Sequence, residues 1–191
     1  MNTKELDGYL KFLSEKQTAV QESGFDVEDS DLSPQLFPFQ KYCVKRALKV
    51  GRFAMFEDCG LGKTYQQLEW AQQVVNHINK PVLILAPLGV IGQTIKEGVH
   101  FGYKVTEIAL TTFDQDLDAG IYITNYDNMD NIDAYLFGGV VLDESSILKN
   151  FAGKTRTALI KDFKNTPYKL CCTATPSPND TTELCNHAEF L

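Results

Sequence analysis

Two short runs, Pro81-Val82-Leu83-Ile84-Leu85-Ala86 and Val140-Val141-Leu142, carry no polar side chain. A strand with one wet face alternates apolar and polar residues. An unbroken apolar run needs cover on both faces, which a parallel sheet between two layers of helices supplies. Further β-prone runs fall at Arg52–Phe56, Val105–Leu110, Ile121–Thr124 and Tyr168–Cys172. Helical periodicity covers Lys41–Val50, the stretch from Thr64 to about Asn79, Val90–Val99 and Lys154–Phe163. This alternation predicts an α/β fold: a doubly wound, mainly parallel sheet with helices on both faces.

The loop Gly60-Leu61-Gly62-Lys63-Thr64 sits between an expected strand and an expected helix, the context a phosphate-binding loop requires. Glycines let the backbone turn its N–H groups inward, and the helix N-terminus adds partial positive charge. Lys63 can reach β- and γ-phosphates, and the Thr64 hydroxyl can ligate Mg²⁺. Glutamate stands at position 57, where the strict pattern has its first glycine. The apolar run Val140–Leu142 ends in Asp143-Glu144. Beside such a loop, Asp143 would hold the Mg²⁺ shell, and Glu144 would orient and deprotonate an attacking water.

Glu57 to Thr64, followed by Asp143-Glu144-Ser145-Ser146-Ile147-Leu148-Lys149-Asn150, resembles motifs I and II of the Swi/Snf-type branch of superfamily-two helicases and translocases. That branch typically writes them D-E-M-G-L-G-K-T and D-E-A-H-R-x-K-N. Phe37-Pro38-Phe39-Gln40 resembles the adenine-reading Q motif, and Ala86-Pro87-Leu88-Gly89-Val90-Ile91-Gly92-Gln93 resembles motif Ia. Ile123-Thr124-Asn125-Tyr126 resembles motif Ib, and Thr173-Ala174-Thr175-Pro176 resembles motif III. With Asn186-His187-Ala188-Glu189-Phe190-Leu191, the wording is most similar to helicase-like ATPases of bacteriophages and prophages.

The resemblance implies a RecA-like P-loop NTPase lobe over residues 34–191, using ATP and Mg²⁺ and acting on DNA, which this lobe alone would hold with low affinity. It assigns Gln40, Gly60, Leu61, Gly62, Lys63, Thr64 and Tyr65 to the nucleotide, with Gln40 on the adenine edge. Glu144, Asp143 and Lys63 carry the chemistry, and Thr64 and Asp143 hold the metal. Leu88, Gly89, Thr124 and Asn125 would grip one strand's phosphate backbone, which requires no base readout. Thr173 and Thr175 would couple the two sites. Ser145-Ser146 replaces the branch's usual Ala-His, so any relay to motif III must run without that histidine. Such motors need a second RecA-like lobe bearing an arginine finger, and no segment after Pro178 is long enough to form one.

Residues 1–33 read as an amphipathic helix, with Leu6, Tyr9, Leu10 and Leu13 at helical spacing and Asn2 and Glu5 in the form of a capping box, followed by an acidic loop or linker. No 18-residue apolar run or signal sequence occurs near the N-terminus, so no membrane partner and a cytoplasmic setting are expected. The five cysteines suit reduced thiols. A formal charge of -7 disfavours nonspecific adhesion to nucleic acid, so DNA contacts must be local. The basic run Lys41, Lys45, Arg46, Lys49 and Arg52 reads as a solvated helix face rather than a phosphate track. The rival to the motor is a stand-alone one-lobe protein that binds nucleotide and regulates without turnover. A general P-loop kinase is disfavoured by the other motifs standing in register.

Overall fold

The computed structural model describes residues 22–108, 117–150 and 153–191. The helix expected over Leu6–Leu13 and the last two residues of the strand expected at Val105–Leu110 lie outside them.

The chain runs α1 (Pro38–Val50), β1 (Arg52–Phe56), α2 (Lys63–Ile78), β2 (Val82–Ala86), α3 (Ile91–Phe101) and β3 (Val105–Glu107). It continues through β4 (Ile121–Asn125), β5 (Gly139–Asp143), α4 (Lys154–Asp162), β6 (Tyr168–Thr173) and α5 (Leu184–Phe190). Pro38 opens α1, where a missing N–H costs nothing, and Gly51 ends it at φ 83°. Each expected core strand is present.

The six strands form one sheet in the order β1-β6-β5-β2-β4-β3, every pair parallel. From β1 the chain leaps to β2 and on to the far edge at β3, then works back through β4 and β5 to β6. Right-handed crossovers travelling in opposite directions place their helices on opposite faces. Side-chain alternation along β2 shows the result. Val82, Ile84 and Ala86 join Val44 and Leu48 of α1, Leu68 and Trp70 of α2 and Ile91 of α3. Leu83 and Leu85 join Leu159 of α4, Phe163 at the C-terminal end of that helix, and Phe190 of α5. The sheet is doubly wound, and β2 is apolar throughout because both faces are covered.

The irregular stretch before α1 is bound onto the lobe. Backbone N–H groups of Ser23, Gly24 and Phe25 donate to the carbonyls of Val50, Lys49 and Leu48 at 3.2, 3.1 and 3.0 Å. These are last-turn carbonyls of α1, which have no partner within their own helix. Phe25 stacks on the His77 ring at 3.8 Å, and Leu32 and Leu36 are buried. Glu22 pairs with Arg46 and Lys49, Asp26 with Lys49, and Asp29 with Lys45. The basic face of α1 therefore meets the acids that precede it. These exposed pairs add little stability singly, so backbone bonds and apolar anchors fix the strap.

A Cβ on Gly24 would stand 1.8 Å from the Leu48 carbonyl oxygen. Gly24→Ala is expected to detach the strap and cost about 1–3 kcal/mol. Hydrogen exchange checks this: the Ser23 and Phe25 amides should lose protection while those of Leu83 and Leu85 keep theirs.

Candidate nucleotide site

The phosphate loop leaves the end of β1 and enters α2. Glu57 N–H donates to the Thr173 carbonyl at 3.2 Å, carrying the β1–β6 pairing one residue beyond the strand. Gly60 and Gly62 take φ 84° and 77°, left-handed values that strain a residue bearing a Cβ. Gly62 also needs its bareness for space, since a Cβ there would meet Gln40 Nε2 at 2.4 Å. The Gly62 carbonyl accepts from the N–H groups of Tyr65 and Gln66, starting α2. Lys63 Nζ folds over the loop and donates to the carbonyls of Glu57 and Asp58 at 2.8 and 2.9 Å. The Glu57 side chain turns inward to accept from Gln66 Nε2 at 2.7 Å, and burial together with this carboxylate pushes the Cys43 thiol up.

Opposite the loop lies the end of β5. Burial raises the Asp143 carboxyl above the usual carboxylate range, and the Glu144 charge adds to the rise. The nearby Gln67 amide and Lys63 ammonium work against it. The Gln67 amide, fully buried, makes no hydrogen bond of ordinary geometry within the described residues. Tyr126, at the end of the motif Ib resemblance, donates its hydroxyl to the Asp143 carbonyl at 2.8 Å. Glu144 takes φ 56°, an uncommon conformation for a residue with a side chain. Its Oε1 accepts from Thr173 Oγ1 at 2.7 Å and from Ser146 Oγ at 2.6 Å. Thr173 Oγ1 accepts in turn from the Thr175 N–H at 3.0 Å. Glu144, Thr173 and Thr175 thus form one chain, with a serine hydroxyl in the position where the resembled branch has histidine.

Gln40 is buried, and both ends of its amide are engaged. Oε1 accepts from the Phe37 N–H at 2.9 Å, and Nε2 donates to the Leu61 carbonyl at 2.9 Å. It ties the start of α1 to the phosphate loop, a use its sequence position did not reveal. Beside it opens a cleft of about 350 Å³ walled by Phe37, Phe39, Leu61, Tyr65 and Phe101. Tyr65 stacks flat on Phe101, with centroids 3.8 Å apart and planes at 4°, so it forms a wall of this cleft.

The residues assigned to a strand's phosphates divide. Leu88 and Gly89 are exposed on a short 3₁₀ turn after β2. Thr124 is buried; its hydroxyl donates to the Ile108 carbonyl and accepts from Asn128 Nδ2. Asn125 Oδ1 caps the following turn through the Asn128 N–H at 3.0 Å. The structure places Thr124 and Asn125 as supports of that turn, with the Thr124 hydroxyl engaged inside the fold. Sequence reading passed over Tyr126, Gln66 and Gln67 as site residues. The two glutamines had a signal, being adjacent polar residues on a helix whose flanking positions are apolar.

Gln40→Ala removes the partner of the Phe37 N–H and the Leu61 carbonyl. It should cost about 1–3 kcal/mol in urea unfolding and speed exchange of the Gly62 and Lys63 amides. Asp143→Asn removes a charge that burial disfavours, so in metal-free buffer it should raise the thermal midpoint; a fall would contradict the burial argument.

Residues 40–191 match the SNF2-related domain family. No curated protein sequence gives a significant match. Among solved structures, the Sulfolobus solfataricus SWI2/SNF2 ATPase core in complex with dsDNA superposes with a TM-score of 0.73 at 21% identity, over 86% of this chain and 37% of that one. The same organism's SWI2/SNF2 ATPase core domain gives 0.69 at 19%, over 93% and 38%. The UvsW helicase of bacteriophage T4 gives 0.69 at 16%, over 100% and 66%. At these identities the likeness speaks for the fold, and the chain spans less than two-fifths of the SWI2/SNF2 cores. With the family match covering most of its length and the sheet carrying the same RecA-like architecture, the chain belongs to the SNF2-related domain family.

Proposed function

We propose that this chain is the Mg·ATP-binding lobe, over residues 34–191, of a DNA translocase or helicase, and that joined to a second RecA-like lobe it couples ATP hydrolysis to movement along DNA. The observation that carries the reading is the hydrogen-bonded chain from Glu144 through Thr173 to Thr175, set opposite the lysine-bearing loop. A glycine-rich phosphate cradle alone suits many nucleotide binders. A base candidate wired through the buried strand-end Thr173 to the exposed Thr175 beyond it suits one whose hydrolysis must be felt elsewhere.

In this reading the cleft beside Gln40 takes the base, and the amides of Gly60 to Thr64 take the phosphates at the N-terminus of α2. Lys63 exchanges its contacts with the Glu57 and Asp58 carbonyls for phosphate oxygens. The Thr64 hydroxyl and Asp143 offer the oxygen donors a hard divalent cation takes. The burial penalty on Asp143 is what a cation at that point would relieve, so the residues present fit Mg²⁺. When bound, Mg²⁺ would neutralise charge on the phosphates. Glu144 has one oxygen engaged by two hydroxyls, which fixes its carboxylate while its other oxygen can accept a proton from water. Leu88 and Gly89, exposed at the end of β2, are the local contacts available to a DNA backbone. The dsDNA bound by the Sulfolobus core supports DNA as the partner.

Glu144→Gln should leave nucleotide affinity within about twofold and lower turnover by about 10²–10⁴-fold. Lys63→Ala should lose nucleotide binding itself. Turnover assays beside fluorescent-nucleotide titrations check both. An arginine finger is worth about 10³–10⁵ in rate, so DNA-stimulated turnover is expected only when a second lobe is joined. Wild-type turnover persisting in Glu144→Gln would overturn the assignment.

A further inference from the structure

We propose that His187 and Asn186, consecutive residues of α5, are positioning residues for Glu144, clamping both ends of the turn that carries it; this rests on the reading of Glu144 as the base. Glu144 is followed at once by a 3₁₀ turn, Ser145–Lys149. A non-glycine residue at φ 56° persists only where its surroundings over-determine it. The hydroxyls of Thr173 and Ser146 hold its carboxylate but do not hold the turn. The turn is held from beneath, by α5.

At the first end, Ser145 Oγ lies 3.1 Å from His187 Nε2, with both side chains buried. At the last end, Asn186 Nδ2 donates to the Lys149 carbonyl at 3.2 Å. Both clamping groups are themselves fixed. Arg156 of α4 donates from Nε to Asn186 Oδ1 at 2.9 Å and pairs with Glu189 one turn further along α5. The His187 ring meets the edge of Phe56, the last residue of β1, at 5.1 Å and 81°. Burial pushes the imidazole below its usual range against the pull of the Glu183 and Ser145 backbones, and its Nδ1 has no hydrogen-bond partner of ordinary geometry within the described residues. Nε2 is the ring nitrogen that reaches the Ser145 hydroxyl. Because Ser146 follows Ser145, any shift of the turn moves the hydroxyl on Glu144 Oε1 as well as the Glu144 backbone. The clamp thus sets where the base stands without touching a substrate.

The test uses His187→Leu, which keeps bulk but removes the nitrogen; Ser145→Ala, which removes the same bond from the other side; and His187→Gln, whose amide can reach Ser145. In the full-length protein, His187→Leu and Ser145→Ala should each lower kcat about tenfold with KM for ATP within about twofold. The double variant should be no worse than either, and His187→Gln should recover most of the rate. In a crystal structure of His187→Leu, Glu144 should leave the left-handed region and lose its bond to Thr173. An unchanged kcat in both single variants overturns the proposal. So does a fall that His187→Gln does not rescue and that tracks the unfolding midpoint, or a Glu144 still bonded to Thr173 at positive φ. If wild-type protein hydrolyses ATP no faster than Glu144→Gln, the reading of Glu144 as base has failed, and the crystallographic comparison still decides the clamp.

Discussion

β6 is hydrogen-bonded to two strands at once, and that double pairing makes one site from segments far apart in sequence. Phe56 of β1 stands opposite Thr173, and Asp143 of β5 stands opposite Cys172, so the three strands end within a residue of one another. Parallel strands present their C-terminal ends on one edge, where an open α/β sheet leaves its crevice. A slip of one residue in β6 would turn Thr173 away from Glu144 and exchange the side chains facing each helical layer. The apolar packing that forbids the slip therefore also holds the distance between loop and base.

α2 shows where the fold gives ground to chemistry. Its sheet-facing side carries Leu68, Ala71 and Val74 as a helix packed on a sheet should. Near its start it also buries Gln66 and Gln67, and among the described residues only Gln66 Nε2 of their amide atoms finds a hydrogen bond of ordinary geometry. Buried amides without partners cost stability. They stand here because the helix that packs on the sheet also walls the carboxylates of Glu57 and Asp143. Local rules of folding are broken at the point where the site requires polar atoms.

The strands, their parallel pairing and the phosphate loop were legible because each is written locally: an unbroken apolar run, or glycines between a strand and a helix. Lys63 and Asp143 were expected in one site, and the Lys63 ammonium lies near enough to work against the rise of the Asp143 carboxyl. What escaped were interactions between residues remote in sequence. Nothing near Gln40 announces that its amide will be divided between Phe37 and Leu61. The left-handed turn at Glu144 was hidden because glutamate carries no preference for it, and its causes lie across the fold in β6 and α5. The acidic stretch read as loop or linker because its partners, the last carbonyls of α1, have no sequence signature. Thr124 sits in a recognisable motif, yet only the buried contacts of its hydroxyl show which way it turns.

The neighbours Cys171 and Cys172 bring out a property of the two-layered interior. Both thiols are free and inaccessible to solvent, yet as successive residues of a strand they point into different cores: Cys172 among the side chains of α1 to α3, Cys171 among those of α4 and α5. The molecule thus contains a native reporter in each layer, fixed to the same stretch of backbone. If the layers open separately, alkylating reagents will modify one sulfur before the other. If they open as a unit, the two will react at a common rate, making the cooperativity of the lobe visible by mass spectrometry without a label.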